Sequence, residues 1–136
     1  MTLKTSGISA IAILLFTFGG YWWWNYPSCS TIDKRSYSGD VLRGIGLLER
    51  GEPDEARLVL QEALEHRVSR LNPRIHEMVA LASEDLGRVD EAIAHYTRAA
   101  ELANRYGCLF PSEGVRDAFV RMQQVRITAL RATSSE

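Results

Sequence analysis

Charge of one sign is what this sequence most clearly lacks. Its 16 Lys and Arg residues face 17 Asp and Glu, for a net charge of -1. Nucleic-acid binders carry a clear basic excess, so nucleic acid is not an expected partner. Lysine is scarce, with 2 against 14 arginines. The interleaving of those arginines with acids fits ion pairs on solvated helix faces. Cysteine is scarcer still in any useful pattern. Cys29 and Cys108 are too few for a disulfide scaffold or a four-thiolate zinc site. They either form one disulfide in an oxidising compartment or are two unrelated thiols.

Catalytic signatures are also missing. His76 and Glu77 do not continue into the helical zinc motif, because position 80 is alanine. His66 lies in a charged run, and His95 follows Glu91 by four residues, a helix-surface spacing. Structural or solvated roles are expected for all three histidines, with no metal and no cofactor. The carboxylate pairs Asp90, Glu91 and Glu84, Asp85 fall at helix starts or on polar faces, and the helix dipole is reason enough for those at a start. There is no phosphate loop, nucleophile elbow or redox thiol pair. No catalytic residue is expected, and the chain is not read as an enzyme.

One more absence is local. No charged residue stands between Lys4 and Asp33. Residues 6–26 are 21 uncharged, mostly apolar positions. At ~1.5 Å per residue a helix of that length reaches about 30 Å, the hydrocarbon thickness of a bilayer. Tyr21, Trp22, Trp23, Trp24 and Tyr26 crowd its far end, where a headgroup zone would receive them, and Pro27 closes it. A cleaved signal peptide would need small residues where the three tryptophans stand. Residues 1–27 are therefore expected to be an uncleaved single-pass membrane anchor, followed by a linker over 28–36. Lys4 on one side and Lys34, Arg35 and Arg43 on the other leave the positive-inside rule nearly balanced. By analogy with bacterial signal anchors, the C-terminal domain is expected on the exported, periplasmic side.

Beyond the linker the chain repeats itself. Gly51, Asp54, Glu55 and Ala56 recur as Gly87, Asp90, Glu91 and Ala92, an offset of 36 residues, and Ala63 recurs as Ala99 in the same register. Each unit reads as two helices. In the first, Val41, Gly44, Ile45, Leu47 and Leu48 form an apolar stripe that Gly51 ends. Pro53 opens the next helix, whose buried face is Ala56, Val59, Leu60, Ala63 and Leu64. The second unit starts at the Asn72 cap and Pro73, buries Ile75, Val79, Leu81, Ala82 and Leu86, and stops at Gly87. Its second helix packs through Ala92, Ile93, Tyr96, Ala99 and Ala103.

The glycine turns Gly51 and Gly87, the mid-helix small residues Gly44 and Ala80, and the alanines Ala56, Ala63, Ala92 and Ala99 resemble the tetratricopeptide repeat (TPR) family. The early tryptophan position of that family is Asp40 in one unit and His76 in the other. The expected fold class is all-α: an N-terminal transmembrane helix, two TPR-like helix pairs over 37–107, and a C-terminal capping helix and tail over 108–136. That last helix, capped by Ser112, is expected to cover the open edge through Val115, Ala118, Phe119, Met122, Val125, Ala129 and Ala132.

The resemblance implies a concave groove lined by the first helix of each pair, which takes segments of other proteins. Its partner-binding residues here would be Ile45, Leu48, Glu49, Arg74, Glu77, Leu81, Glu84 and Asp85, beside Val41. Val41, Ile45 and Leu81 are equally readable as plain core. The expected function is a membrane-tethered protein-interaction adaptor that helps assemble or retain a membrane or envelope complex. The alternative is an integral accessory subunit of such a complex. Partners would be other proteins, with the membrane engaged by residues 6–26.

Overall fold

The computed structural model describes residues 27–134. The expected anchor over 6–26 lies outside them. Among the described residues no helix is long and apolar enough to cross a membrane. Among the described residues six α-helices follow one another: α1 (Cys29–Ser36), α2 (Gly39–Glu49), α3 (Pro53–Ala63), α4 (Pro73–Asp85), α5 (Val89–Arg105) and α6 (Glu113–Thr133). Short 3₁₀ turns, Ser69–Leu71 and Gly107–Leu109, precede α4 and α6. No strand occurs among the described residues.

Helices α2 with α3 and α4 with α5 are the two pairs expected from the repeat. Their identity extends to individual hydrogen bonds. At the end of α2, the Gly51 N–H donates to the Leu48 carbonyl and the Glu52 N–H to that of Leu47, both at 3.0 Å. At the end of α4, Gly87 donates to Glu84 at 2.9 Å and Arg88 to Ser83 at 2.8 Å. Both are Schellman closures, which need a left-handed residue. Gly51 and Gly87 supply it with φ of 72° and 69°. The helix starts also follow local chemistry. The Asn72 side chain accepts from the Arg74 N–H at 2.9 Å, and the Ser112 hydroxyl accepts from that of Val115 at 3.3 Å.

Packing runs helix to helix along the chain. Val41, Leu60, Ala63, Ile75 and Val79 join the first pair to the second. Ala80, Ala92 and Tyr96 fill the second pair. Ala99, Ala103, Phe110 and Phe119 then seat α6. The tightest approach is at Gly44, where an added Cβ would fall 2.5 Å from Cγ of Leu60, which is fully buried and has no room to swing away. Gly44→Val should therefore destabilise the domain by about 1–3 kcal/mol through overpacking, despite its better helix propensity. A thermal melt no lower than wild type would refute this close contact.

Two features differ from the sequence reading. The segment 28–36, expected as a linker, is mostly the helix α1. Its one large apolar residue, Ile32, is fully buried, which is too little for a periodic signal. Eight residues are also too short to be helical alone. Tertiary bonds hold α1 in place. The Ser69 hydroxyl donates to the Ser36 carbonyl at 3.2 Å, and the Asn72 amide donates to the Ser36 hydroxyl at 2.6 Å. Cys29 and Cys108 form a disulfide, with Cα atoms 6.1 Å apart. Of the two alternatives left open for these thiols, the structure takes the disulfide.

The second difference is the face that α6 buries. Of the expected stripe only Phe119 is buried. Val115, Ala118, Met122, Val125, Ala129 and Ala132 are exposed. The helix instead packs through Phe119, Val120, Gln123, Ile127 and Leu130. The reason is size. Val120, Ile127 and Leu130 bury more apolar surface than Ala118, Ala129 and Ala132 would. The polar Gln123 hid this face from a count of apolar spacing.

Candidate protein-interaction site

The expected groove divides into two halves of different character. In the first half, Ile45 and Leu48 of α2 are half-buried against the core of the first pair, and Glu49 is exposed. Val41 is fully buried and is plain core. Leu42, next to it, stands 59% exposed, a large apolar side chain presented to solvent.

The second half is engaged by the chain itself. Helix α6 bonds to α4 at two of the three acids that were expected to face a partner. Gln123 donates to Glu77 at 2.9 Å. Arg126 donates to Glu84 at 2.9 Å and to the Tyr96 hydroxyl at 3.3 Å. Tyr96 in turn donates to Glu84 at 2.6 Å. Burial, then this hydrogen bond to Glu84, pushes the Tyr96 phenol well above its usual range. Burial works against the Arg126 guanidinium, but Tyr96 and Glu84 outweigh it and hold its pKa raised. Leu81 packs in the same cluster as Ile127 and Leu130. Arg74 stacks over Phe119 and Phe110, with its guanidinium 4.8 and 5.4 Å from the ring centroids, and reaches Glu77 at 3.6 Å. Asp85, the last of the set, is exposed.

Glu77, Leu81 and Glu84 thus meet on one side of α4, and what fills that side is an apolar segment with a basic neighbour: Ile127 and Leu130 beside Arg126. Gln123 and Arg126 were not read from the sequence as site residues. An arginine set between Val120 and Ile127, on the helix following an acidic face, was the available signal.

Residues 41–106 match the family model of the tetratricopeptide repeat. The chain is TPR-like. No curated protein and no solved structure matches it significantly. TPR arrays generally mediate protein–protein interactions, and the helix pairs α2–α3 and α4–α5 are the part of the chain that the match covers.

A polar seam joins the two TPR-like pairs. Glu91 at the start of α5 receives Arg57 of α3 at 3.2 Å, Gln61 of α3, and Arg88. Burial alone would raise the Glu91 carboxyl, but the Arg88 hydrogen bond and the charges of Arg57 and Arg88 hold it below its usual range.

The histidines form a second internal feature. His76, at the family's early tryptophan position, is 6% exposed. Its Nδ1 lies 3.1 Å from Nδ1 of His95, and its Nε2 lies 3.0 Å from the Arg70 carbonyl. The carbonyl only accepts, so His76 Nε2–H donates to it, and His95 donates to His76 Nδ1. Burial pushes His76 down to about 4, with His95 and Arg98 adding to the fall, and burial lowers His95 too. Among the described residues no group of three or more His, Cys, Asp or Glu is placed to hold a metal ion.

Proposed function

We propose that this chain is a membrane-tethered, non-catalytic TPR-like adaptor that docks other proteins and helps assemble or retain a membrane or envelope complex. The observation that carries the reading is the uncovered first helix of the array: α2 presents Leu42 and Glu49 to solvent, while Glu77 and Glu84 of α4 are held by α6. Tethering through residues 6–26 would keep the module at high local concentration near membrane partners, so weak docking suffices. The Cys29–Cys108 disulfide supports an exported domain, since such bonds persist in oxidising compartments.

A photo-crosslinking residue at Leu42, in the full chain in native membranes, tests the docking surface. It should capture a protein partner, whereas the same residue at Leu58, exposed at 53% on α3, should not. The tether is tested alongside. Leu14→Arg with Leu15→Arg should release the chain from membranes at alkaline pH, at ~2.5–3.5 kcal/mol per charge near a span centre, and abolish capture. Equal capture from positions 42 and 58 would sink the α2 reading. Lysine in place of Glu77, Glu84 and Asp85 is a poor probe, because it would unseat α6 from Glu77 and Glu84 as well.

A further inference from the structure

The face of α6 turned away from the core has no counterpart in the groove described above. Val115 is 41% exposed, Met122 53% and Val125 68%. With Ala118 and Ala129, also exposed, they recur at intervals of three, four, three and four residues. That is the strict two-in-seven seam by which one helix packs lengthwise on another, narrower than the stripe of a helix on a globular core. The other stripe of α6 already serves the core, so this one is a second seam on the same helix. Its alanines let a neighbouring backbone come close, and Met122 adapts to the surface it meets.

Charge specifies what fits. From 118 to 133 every charged residue is an arginine: Arg121, Arg126 and Arg131. At about 100° per residue Arg121 and Arg126 stand on either side of the seam, while Arg131 falls on the opposite side of the helix. Arg126 also pairs with Glu84, and Arg121 has no ion pair among the described residues. Two shallow depressions lie along the seam, one lined by Ala118, Met122 and Val125 with Arg121 and Arg126, the other by Val125 and Ala129 with Arg121, Gln124 and Thr128.

We propose that this seam docks an amphipathic helix of another protein whose apolar stripe is flanked by acidic residues. A second copy of this chain fits poorly, because pairing the seam with itself brings Arg121 and Arg126 of one copy against those of the other. A bilayer surface fits poorly too. Interfacial helices present a broad face with bulky Trp, Phe or Leu, and this stripe is narrow and partly alanine. The proposal does not depend on docking at α2.

The test uses the full chain in detergent and two synthetic 21-residue helical peptides, both with leucine at the seam positions, one flanked by glutamate and one by lysine. The glutamate peptide should bind at least tenfold more tightly, and more weakly as salt rises. Val125→Glu should cost at least tenfold in its affinity while leaving the thermal melt and capture from position 42 unchanged. Arg121→Glu should remove most of the preference for the glutamate peptide, while Arg131→Glu, on the opposite side of the helix, should leave it unchanged. Equal binding of both peptides, or of neither, would overturn the proposal. So would binding to anionic vesicles that Val125→Glu abolishes while neither peptide binds, which would assign the seam to a membrane surface. Self-association in sedimentation that Val125→Glu abolishes would assign it to a second copy.

Discussion

Serine at both Cys29 and Cys108 is expected to lower the unfolding free energy by about 2–4 kcal/mol, the usual range for losing a native disulfide. The two residues are 79 apart in sequence, so the bond closes most of the folded domain into one loop. In the chain-entropy account a loop of that size is worth about 4–5 kcal/mol, because the cross-link removes open conformations from the unfolded chain. In the folded state the effect is local. Helix α1 has Ile32 as its only buried large apolar residue and is otherwise held by the Ser36 bonds to Ser69 and Asn72. Without the cross-link α1 should fray first, which hydrogen exchange at residues 30–36 would show. Urea melts of the oxidised protein with and without reductant measure the global term. If reductant leaves the midpoint unchanged, or if thiol counting finds both cysteines free, the cross-link contributes nothing.

Acid should destabilise the domain well before most carboxylates titrate. His76 has a folded pKa of about 4 against an ordinary 6.5, because burial disfavours its charged form. The folded state therefore binds this proton less readily than the unfolded state. The contribution is fully present above about pH 6.5 and is lost as pH falls towards 4. At 1.36 kcal/mol per pH unit, the loss amounts to roughly 3 kcal/mol across that window. His95, also lowered by burial, adds in the same direction, and Glu91 opposes it in part. The geometry supplies the reason. Protonating His76 Nδ1 would point a proton at the N–H of His95, so one hydrogen bond would become a repulsion between charged rings. Urea midpoints between pH 7.5 and 4.5 measure the slope, and His76→Gln should remove most of it. A slope that survives in that variant would locate the acid sensitivity elsewhere.

The repeat was legible because its signals are local. Gly51 and Gly87 announce left-handed closures, Asn72 and Ser112 announce caps, and each acts within a few residues of itself. The alanine positions Ala56, Ala63, Ala92 and Ala99 are all fully buried, as their spacing implied. What was not legible depends on partners far along the chain. Helix α1 exists because Ser69, Asn72 and Cys108 are waiting for it. The buried face of α6 was hidden by Gln123, which reads as a surface residue until Glu77 stands opposite it. Of the groove residues, Leu42 stood outside the expected set, and Glu77 and Glu84 belonged to it but proved to be bound from within. A pattern of charges on α4 shows that something basic should approach; it does not show that the same chain provides it.

The position of the disulfide has a mechanical consequence. Cys29 is the third described residue after the segment proposed to sit in the membrane, and Cys108 lies in the short turn just before α6. A pull on that segment would enter the domain at Cys29 and cross the sulfur bridge to Cys108, bypassing the residues between them. If the opposing load hangs on α6, tension runs from tether to partner through a few residues and one covalent bond. The two helix pairs would then sit in a slack loop beside the line of force, and could keep their groove in shape while the ends of the protein are under strain.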